Sequence, residues 1–396
     1  MNYARILLYC KVDGKGAVTV DEKKRMQRAF DFFRPVMKLM LRIRFGYRCD
    51  SLKGIEGPYL LLCNHNMELD PVMLGAAGGR AVRFVASEHI ARKGFGTWFL
   101  MRYFRPILHV KGKSGQGTSL KILRALKSGD CVAMFPEGNR SFNGVTGPML
   151  GQLGRLVRRC GASLVTYRIE GGYFTQPRWG TTLRRGRLVG HLVHVYTPEQ
   201  MKEMTDDRVE QAIADDLYED AYASQEKNPS LYKGKHAALG LESALFWCSA
   251  CGRFNTLHSD DDGLRCECGY RADYTASGYL RSQDGKLTTI TRWDEQQQQA
   301  LRQRMTQDAA AKLFEDTVTV REIREDHTAS EARQMRLAAY PDHLMLGEER
   351  IPREELDGAA VFSRNVLTLV TDKQYEIRGQ LSFNALKYRY WAEVWP

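Results

Sequence analysis

Nowhere in this 396-residue chain do apolar residues run on for the roughly 18–20 positions that a bilayer-crossing helix needs, so no helical membrane span is expected. The first residues lack a compact apolar core followed by a small-residue cleavage site, which argues against a secretory leader. Internal repeats and long low-complexity tracts are missing, so a solenoid or a biased tail is not expected. No G-x-S-x-G elbow occurs, and a serine-nucleophile hydrolase is left without support. Acids are almost absent from residues 80–127, where eleven Lys and Arg face the single acid Glu88. Residues 22–48 carry nine basic residues against Glu22 and Asp31. The net charge of +11 is therefore concentrated, and such surfaces attract nucleic acid, anionic lipid or phosphorylated cofactors.

What is present suffices for packed cores: 43% of the residues are apolar, and the length suits two or three domains. Nine cysteines without a leader point to a reducing cytosol rather than a disulfide framework. Residues 22–45 read as a basic amphipathic helix. Met26, Phe30, Phe33, Met37, Met40 and Leu41 recur at helical spacing, and Pro35 should kink or divide it. Its apolar face suits either a protein core or the headgroup layer of a membrane. From Pro58 to Tyr196 short apolar runs (59–63, 82–86, 107–110, 131–135, 163–169, 188–196) alternate with helical patterns (71–77, 95–104, 118–128, 149–159). That alternation predicts an α/β fold, a mixed and mostly parallel sheet with helices on its faces. Thr205 should cap a helix with the stripe Val209, Ile213 and Leu217, its acids Asp215, Asp216, Glu219 and Asp220 forming a solvated face.

The predicted organisation is 1–50 amphipathic helices, 51–226 the α/β domain, 227–245 a linker, 246–272 a cysteine-rich ribbon, 273–315 a helical connection (helix 293–314), and 316–396 a small β module. In the last, strands at 317–323, 343–346, 359–362, 366–370 and 374–378 should form an antiparallel PH- or GRAM-like sheet closed by a helix at about 382–395.

Two polar strings each follow a buried-strand pattern. Asn64-His65-Asn66-Met67-Glu68-Leu69-Asp70 follows Tyr59–Cys63, and Phe135-Pro136-Glu137-Gly138-Asn139-Arg140-Ser141 follows Cys131–Phe135. Ligands of open α/β sheets bind where strands end. One string offers an imidazole and a carboxylate, the other a carboxylate and a guanidinium: a base for a hydroxyl beside a grip on a phosphate. On a straight helix His65 and Asp70 would lie about 140° apart at 100° per residue, so a turn must bring them together. Pro71 supports that, since the residue before proline avoids the helical region and proline suits a first helical turn. Asp70 is then expected at the N-cap. Glu68 reads as a solvated turn acid, and Ser141 as a turn cap.

These strings, H-x4-D and F-P-E-G-x-R-S, resemble the signature blocks of the PlsC-like glycerolipid acyltransferases, the lysophosphatidate acyltransferase family, over roughly Pro58–Tyr196. The resemblance implies transfer of an acyl chain from acyl-CoA or acyl carrier protein to the free hydroxyl of a lysophosphatidate-like lipid, without an acyl-enzyme. It implies His65 as general base, Asp70 as its orienter, and Glu137, Gly138, Asn139 and Arg140 at the acceptor phosphate. The middle block departs from the family pattern: Arg105-Pro106-Ile107-Leu108-His109-Val110-Lys111 offers Arg105 or Lys111 as its basic group. Glycerol 3-phosphate or another lysophospholipid stays open as acceptor. Arg178, Arg184, Arg185 and Arg187 suit a headgroup or CoA-phosphate surface, or a solvated basic face. With the basic helix, the implied setting is the cytoplasm, on the anionic cytoplasmic face of the membrane.

Cys248-x-x-Cys251 and Cys266-x-Cys268, each pair followed by glycine, have the spacing of two knuckles around a structural zinc, a zinc ribbon, with His258 as a substitute ligand. Four thiolates leave no open position for catalysis. A zinc-ribbon nucleic-acid-binding protein is the rival reading. The ribbon speaks against nucleic acid, because Asp260, Asp261, Asp262 and Glu267 outnumber Arg253 and Arg265 there. Cys10, Cys49, Cys63, Cys131 and Cys160 read as small core residues.

Overall fold

The computed structural model describes residues 18–87, 101–109, 116–308, 310–324, 328–380 and 383–393. Two compact units emerge, and each is built from separate stretches of chain. The first takes the chain up to Ser141, then Val145–Thr175 and Arg185–Ser230; the second takes Phe142–Gly144, Gln176–Arg184 and Leu231 onward. Within 51–226, Phe142–Gly144 and Gln176–Arg184 group with the later residues.

In the first unit, helix α1 (Val20–Phe45) starts at a capping box, Thr19 with Glu22, and stops at Gly46, whose φ of +71° closes the helix. The helix runs through Pro35 undivided. Among the described residues, seven strands form the sheet of this unit: β1 (Arg48–Cys49), β2 (Tyr59–Cys63), β3 (Val82–Ser87), β4 (Ile107–His109), β5 (Cys131–Met134), β6 (Ser163–Glu170) and β7 (Val189–Tyr196). Their order is β1-β7-β6-β2-β5-β3-β4, and every pair is parallel except β6 with β7. Among the described residues, further helices include α2 (Asp70–Ala77), α3 (Gln116–Lys127), α4 (Leu153–Cys160), α5 (Gly172–Thr175), α6 (Pro198–Glu203), α7 (Asp206–Leu217) and α8 (Ala221–Lys227). The fold class is the expected one, a mixed and mostly parallel sheet with helices on its faces.

All five residues of β2 are buried, as a central parallel strand covered on both sides requires. One face of the sheet packs Leu60, Leu62, Val132 and Met134 against Ile122 of α3, Val157 of α4 and Ile213 of α7. Truncating any of these leucines to alanine should cost about 2–5 kcal/mol. The acids of α7 depart from the solvated face read from sequence. Asp215 is exposed, but Asp216 and the neighbouring Glu219 are buried. Asp216 is held by three side-chain donors, Thr166 Oγ1 (2.7 Å), His194 Nδ1 (2.7 Å) and Tyr196 OH (2.9 Å).

The second unit holds a five-stranded antiparallel sheet of β8 (Leu257–Ser259), β9 (Gly263–Cys266), β10 (Arg271–Tyr274), β11 (Leu280–Ser282) and β12 (Leu287–Thr288), then α9 (Ile290–Gln307). Seven further strands follow: β13 (Phe314–Ile323), β14 (Arg333–Ala339), β15 (His343–Leu346), β16 (Glu349–Pro352), β17 (Gly358–Phe362), β18 (Val366–Val370) and β19 (Gln374–Gly379). They form an antiparallel sheet in the order β16-β15-β14-β13-β19-β18-β17, and α10 (Ala385–Glu393) ends the unit. Long β13 joins a four-strand meander to a three-strand one by pairing with both β14 and β19. Strands β14 and β16 lack a clear sequence signal, being rich in exposed charged residues.

Candidate active site

β2 and β5 are neighbouring parallel strands in register, Leu62 opposite Met134, so the polar strings that follow them leave the same edge of the sheet side by side. His65 and Glu137 each lie three residues beyond that pair. They meet: the His65 backbone N–H donates to Glu137 Oε1 at 2.7 Å. The first loop is also tied to β6. Asn64 donates through Nδ2 to the carbonyl of Ile169 (2.9 Å) and accepts from its N–H (2.8 Å), and Asn66 Nδ2 reaches the same carbonyl (3.1 Å). Sequence reasoning passed over both asparagines. The only signal they left was a side chain able to mimic a strand partner at a strand end.

Within the loop, His65 Nδ1 and Asp70 Oδ2 stand 2.8 Å apart. The same Oδ2 accepts the N–H groups of Asn66 (2.8 Å) and Met67 (2.9 Å). Asp70 is fully buried, and its Oδ1 has no hydrogen-bond partner among the described residues. The expected N-cap role is corrected: Asp70 is the first residue of α2, Leu69 holds the cap position, and no side chain caps the helix. Asp70 instead turns back and ties together the turn before it. A carboxylate only accepts, so Nδ1 carries the proton and Nε2 is the basic nitrogen of neutral His65. The ring stacks on Phe135, centroids 4.4 Å apart and planes 23° apart, while about a fifth of the side chain stays open to solvent.

Glu137 is buried and accepts at both oxygens, from His65 N and from Gly147 N (2.8 Å). Burial pushes its carboxyl up to about 8 and nearby Asp70 adds to this, while the two backbone donors pull it down. It thus binds three pieces of chain together, a task not read from the sequence. Gly138 has φ +66°, the left-handed region that a side chain resists, so the turn toward Arg140 needs glycine there. Arg140 is largely buried and donates to Glu68 Oε1 at 3.2 Å; burial lowers its pKa. Glu68, read as a mere turn acid, is thus Arg140's partner across the two loops. Asn139 lies half-buried between Gly138 and Arg140.

Arg105 does not join this group. Register places Arg83 level with Leu60, and Arg105 level with Arg83. Arg105 therefore lies about five residues, roughly 16 Å, back along the strand direction from His65, and three strands across. It has φ +44° and pairs with Glu22 of α1. Lys111 lies outside the described residues, as does most of the helix expected at 95–104. Arg178 and Arg184 are buried in the second unit rather than forming a headgroup surface or a solvated face. Arg178 donates to the carbonyls of Ser363 (2.9 Å) and Val361 and covers the Phe142 ring. Arg184 lies over Trp179 and Tyr274 and donates to the Tyr274 hydroxyl (2.9 Å). Arg185 is exposed, and Arg187 pairs with Glu170 (2.9 Å).

In the second unit Cys248, Cys251, Cys266 and Cys268 bring their sulfurs within 4.8 Å of one another, with 248–268 and 251–266 each at 3.9 Å. Four thiolates around one tetrahedral ion at about 2.3 Å would stand about 3.8 Å apart, so the donor set fits a metal ion. His258 is not part of the cluster. Gly252 (φ +69°) and Gly269 (φ +90°) turn the chain after each pair, their N–H groups donating to Cys248 O (2.8 Å) and Cys266 O (2.9 Å).

Residues 19–170 match the protein family described as Acyltransferase. A solved structure, the 1-acyl-sn-glycerophosphate (LPA) acyltransferase PlsC from Thermotoga maritima, aligns at 15% identity and TM-score 0.43, covering 57% of this chain and 88% of that one.

Proposed function

With residues 19–170 as an acyltransferase-family domain, we propose that the protein moves an acyl chain from a thioester, acyl-CoA or acyl carrier protein, to the free hydroxyl of a lysophosphatidate-like glycerolipid. The observation that carries the reading is the dyad. His65 is held through Nδ1 by buried Asp70, its Nε2 is the basic nitrogen, and the loop carrying Arg140 is fastened beside it by Glu137.

The acceptor hydroxyl donates to His65 Nε2, and its oxygen attacks the thioester carbonyl as the proton moves to the imidazole. Asp70 stabilises the imidazolium so formed. The tetrahedral intermediate collapses, the carbon–sulfur bond breaks, and the thiolate takes the proton back from His65. An ester and a free thiol result. Arg140 suits a phosphate monoester, which a guanidinium holds through two parallel hydrogen bonds, and there it would compete with Glu68.

The membrane is the proposed source of the acceptor. On α1, Phe32, Val36, Leu39, Met40 and Ile43 are all exposed and fall within about 100° of arc, flanked by exposed Arg28, Arg42 and Arg44. An apolar stripe edged with cations suits an anionic headgroup layer. Among the described residues no helix is long and apolar enough to cross a membrane. The cysteine cluster is proposed as a structural zinc site, whose ion would staple the two knuckles and supply no chemistry to the reaction.

The test is ester formation and thiol release with acyl-CoA and acyl carrier protein, offered against lysophosphatidate, glycerol 3-phosphate and neutral or zwitterionic lysolipids. Transfer confined to acceptors with a phosphate monoester is expected. Equal transfer to acceptors without one would remove Arg140 from its role.

A further inference from the structure

Strand β2 stops at Cys63, whose partner across the ladder is Tyr167, while β6 runs on to Glu170. Carried one step further, the parallel ladder would set residue 65 opposite Ile169. Ile169 N–H would then donate to the Asn64 carbonyl, and the Ile169 carbonyl would accept from Asn66 N–H. The Asn64 side chain takes both places instead. Its Oδ1 accepts from Ile169 N (2.8 Å) and its Nδ2 donates to Ile169 O (2.9 Å), and the whole residue is buried. One carboxamide offers an acceptor and a donor side by side, as a stretch of strand does, so β6 is satisfied here without a backbone partner. Asn66 Nδ2 adds a longer bond to the same carbonyl (3.1 Å).

The backbone released by this exchange is the one the dyad uses. Asn66 N–H, which a longer ladder would claim, goes to Asp70 Oδ2 at 2.8 Å, and Met67 N–H joins it at 2.9 Å. His65 N–H goes to Glu137 Oε1 at 2.7 Å. Without the carboxamide, fully buried Ile169 has an N–H without an acceptor and a carbonyl with only its longer bond. Such groups are costly to leave unpaired, and lengthening β2 is the nearest remedy. A longer β2 takes Asn66 N–H away from Asp70 and unwinds the turn that brings Asp70 to His65 Nδ1. We propose that Asn64 is a positioning residue for the reaction: its side chain ends β2 before His65, and so holds the imidazole where Asp70 orients it. All of these groups lie in the first unit. The proposal rests on the general-base reading of His65 given above.

The experiment uses the full chain with Asn64→Asp, which keeps the shape but sets an oxygen against the Ile169 carbonyl, and with Asn64→Ala, which removes both bonds. Amide hydrogen exchange is read without substrate. The proton on His65 Nδ1 is read by magnetic resonance in protein with nitrogen-labelled histidine, and identified by its loss in His65→Ala. Held against Asp70, that proton should give a low-field signal in wild type, and both variants should lose it. Met67 N–H should exchange faster in both, while Val165 N–H on β6 stays protected. In acyl transfer kcat should fall about 10²-fold, the effect of a misplacement of about 1 Å, with acceptor and donor KM within about twofold of wild type. A folded variant that keeps the low-field signal and the wild-type kcat overturns the proposal, and so does one whose loss falls on either KM with kcat unchanged. If neither variant folds, wild type decides: Ile169 N–H should exchange as slowly as Val165 N–H, and fast exchange there overturns the proposal. A wild-type protein that acylates no acceptor would overturn the functional reading, and the exchange and resonance data would still decide this one.

Discussion

Replacing Asp70 by asparagine alters one atom of the candidate site and tests orientation apart from bulk. Asp70 Oδ2 accepts His65 Nδ1 (2.8 Å), Asn66 N (2.8 Å) and Met67 N (2.9 Å). Asparagine offers one acceptor oxygen and an amine. With the oxygen kept on the backbone donors, the imidazole loses the negative charge that stabilises its protonated form. With the amine turned to His65, Nδ1 must accept, and the proton moves to Nε2, where the base is needed. Either arrangement removes a general-base contribution of about 10²–10⁴ in kcat. The cost to stability is one charge-assisted hydrogen bond, about 1.5–3 kcal/mol. At about 2–4 °C per kcal/mol for a unit of this size, the melting temperature should fall by roughly 3–12 °C. The assay is kcat by thiol release, read well below the melting temperature of both proteins. A kcat within about threefold of wild type in folded Asp70→Asn protein would refute the orienting role.

Glu219 supplies a pH test. Burial and the charge of Glu170 raise its carboxyl from 4.5 to about 8. The folded protein therefore holds a proton that the unfolded chain has released, and the stability from this group is lost as pH rises from about 4.5 to about 8. Glu137 shifts the same way, so Glu219→Gln should lessen, not abolish, the fall in melting temperature over that range; an unchanged slope would contradict the burial argument. Cys251→Ser should lower bound metal from one equivalent toward zero by elemental analysis and loosen exchange over 248–268, while β2 and β5 keep their protection. On α1, Ile43→Glu places a charge in the exposed stripe and should cut binding to anionic vesicles at least about tenfold, because burying that side chain is worth about 1.5–3 kcal/mol. Undiminished vesicle binding would end the docking role of that face.

The parts of the site legible in the sequence were those set by local pattern. Tyr59–Cys63 and Cys131–Met134 are unbroken apolar runs, as buried parallel strands must be, so the strings after them had to sit at strand ends. Pro71 told that His65 and Asp70 meet across a turn. It could not tell which turn Asp70 caps, because that depends on the N–H groups of Asn66 and Met67 pointing inward. Other roles depended on partners far along the chain. Asn64 pairs with Ile169, and Glu137 binds His65 and Gly147. Arg178 and Arg184 read as surface charges because the carbonyls and rings that accept them belong to residues scattered from Phe142 to Ser363. The stripe Val209, Ile213, Leu217 marks the apolar face of α7 correctly, but periodicity carries no information about Asp216, whose burial follows from Thr166, His194 and Tyr196 on two strands.

The central claim is that His65 takes the proton from the acceptor hydroxyl. The measurement is the single-turnover rate of ester formation from an acyl thioester and lysophosphatidate, for wild type and His65→Ala, with folding verified by melting. The account predicts rapid transfer by wild type and a loss of at least about 10²-fold, and up to about 10⁴-fold, in His65→Ala. Transfer by folded His65→Ala at the wild-type rate would contradict it.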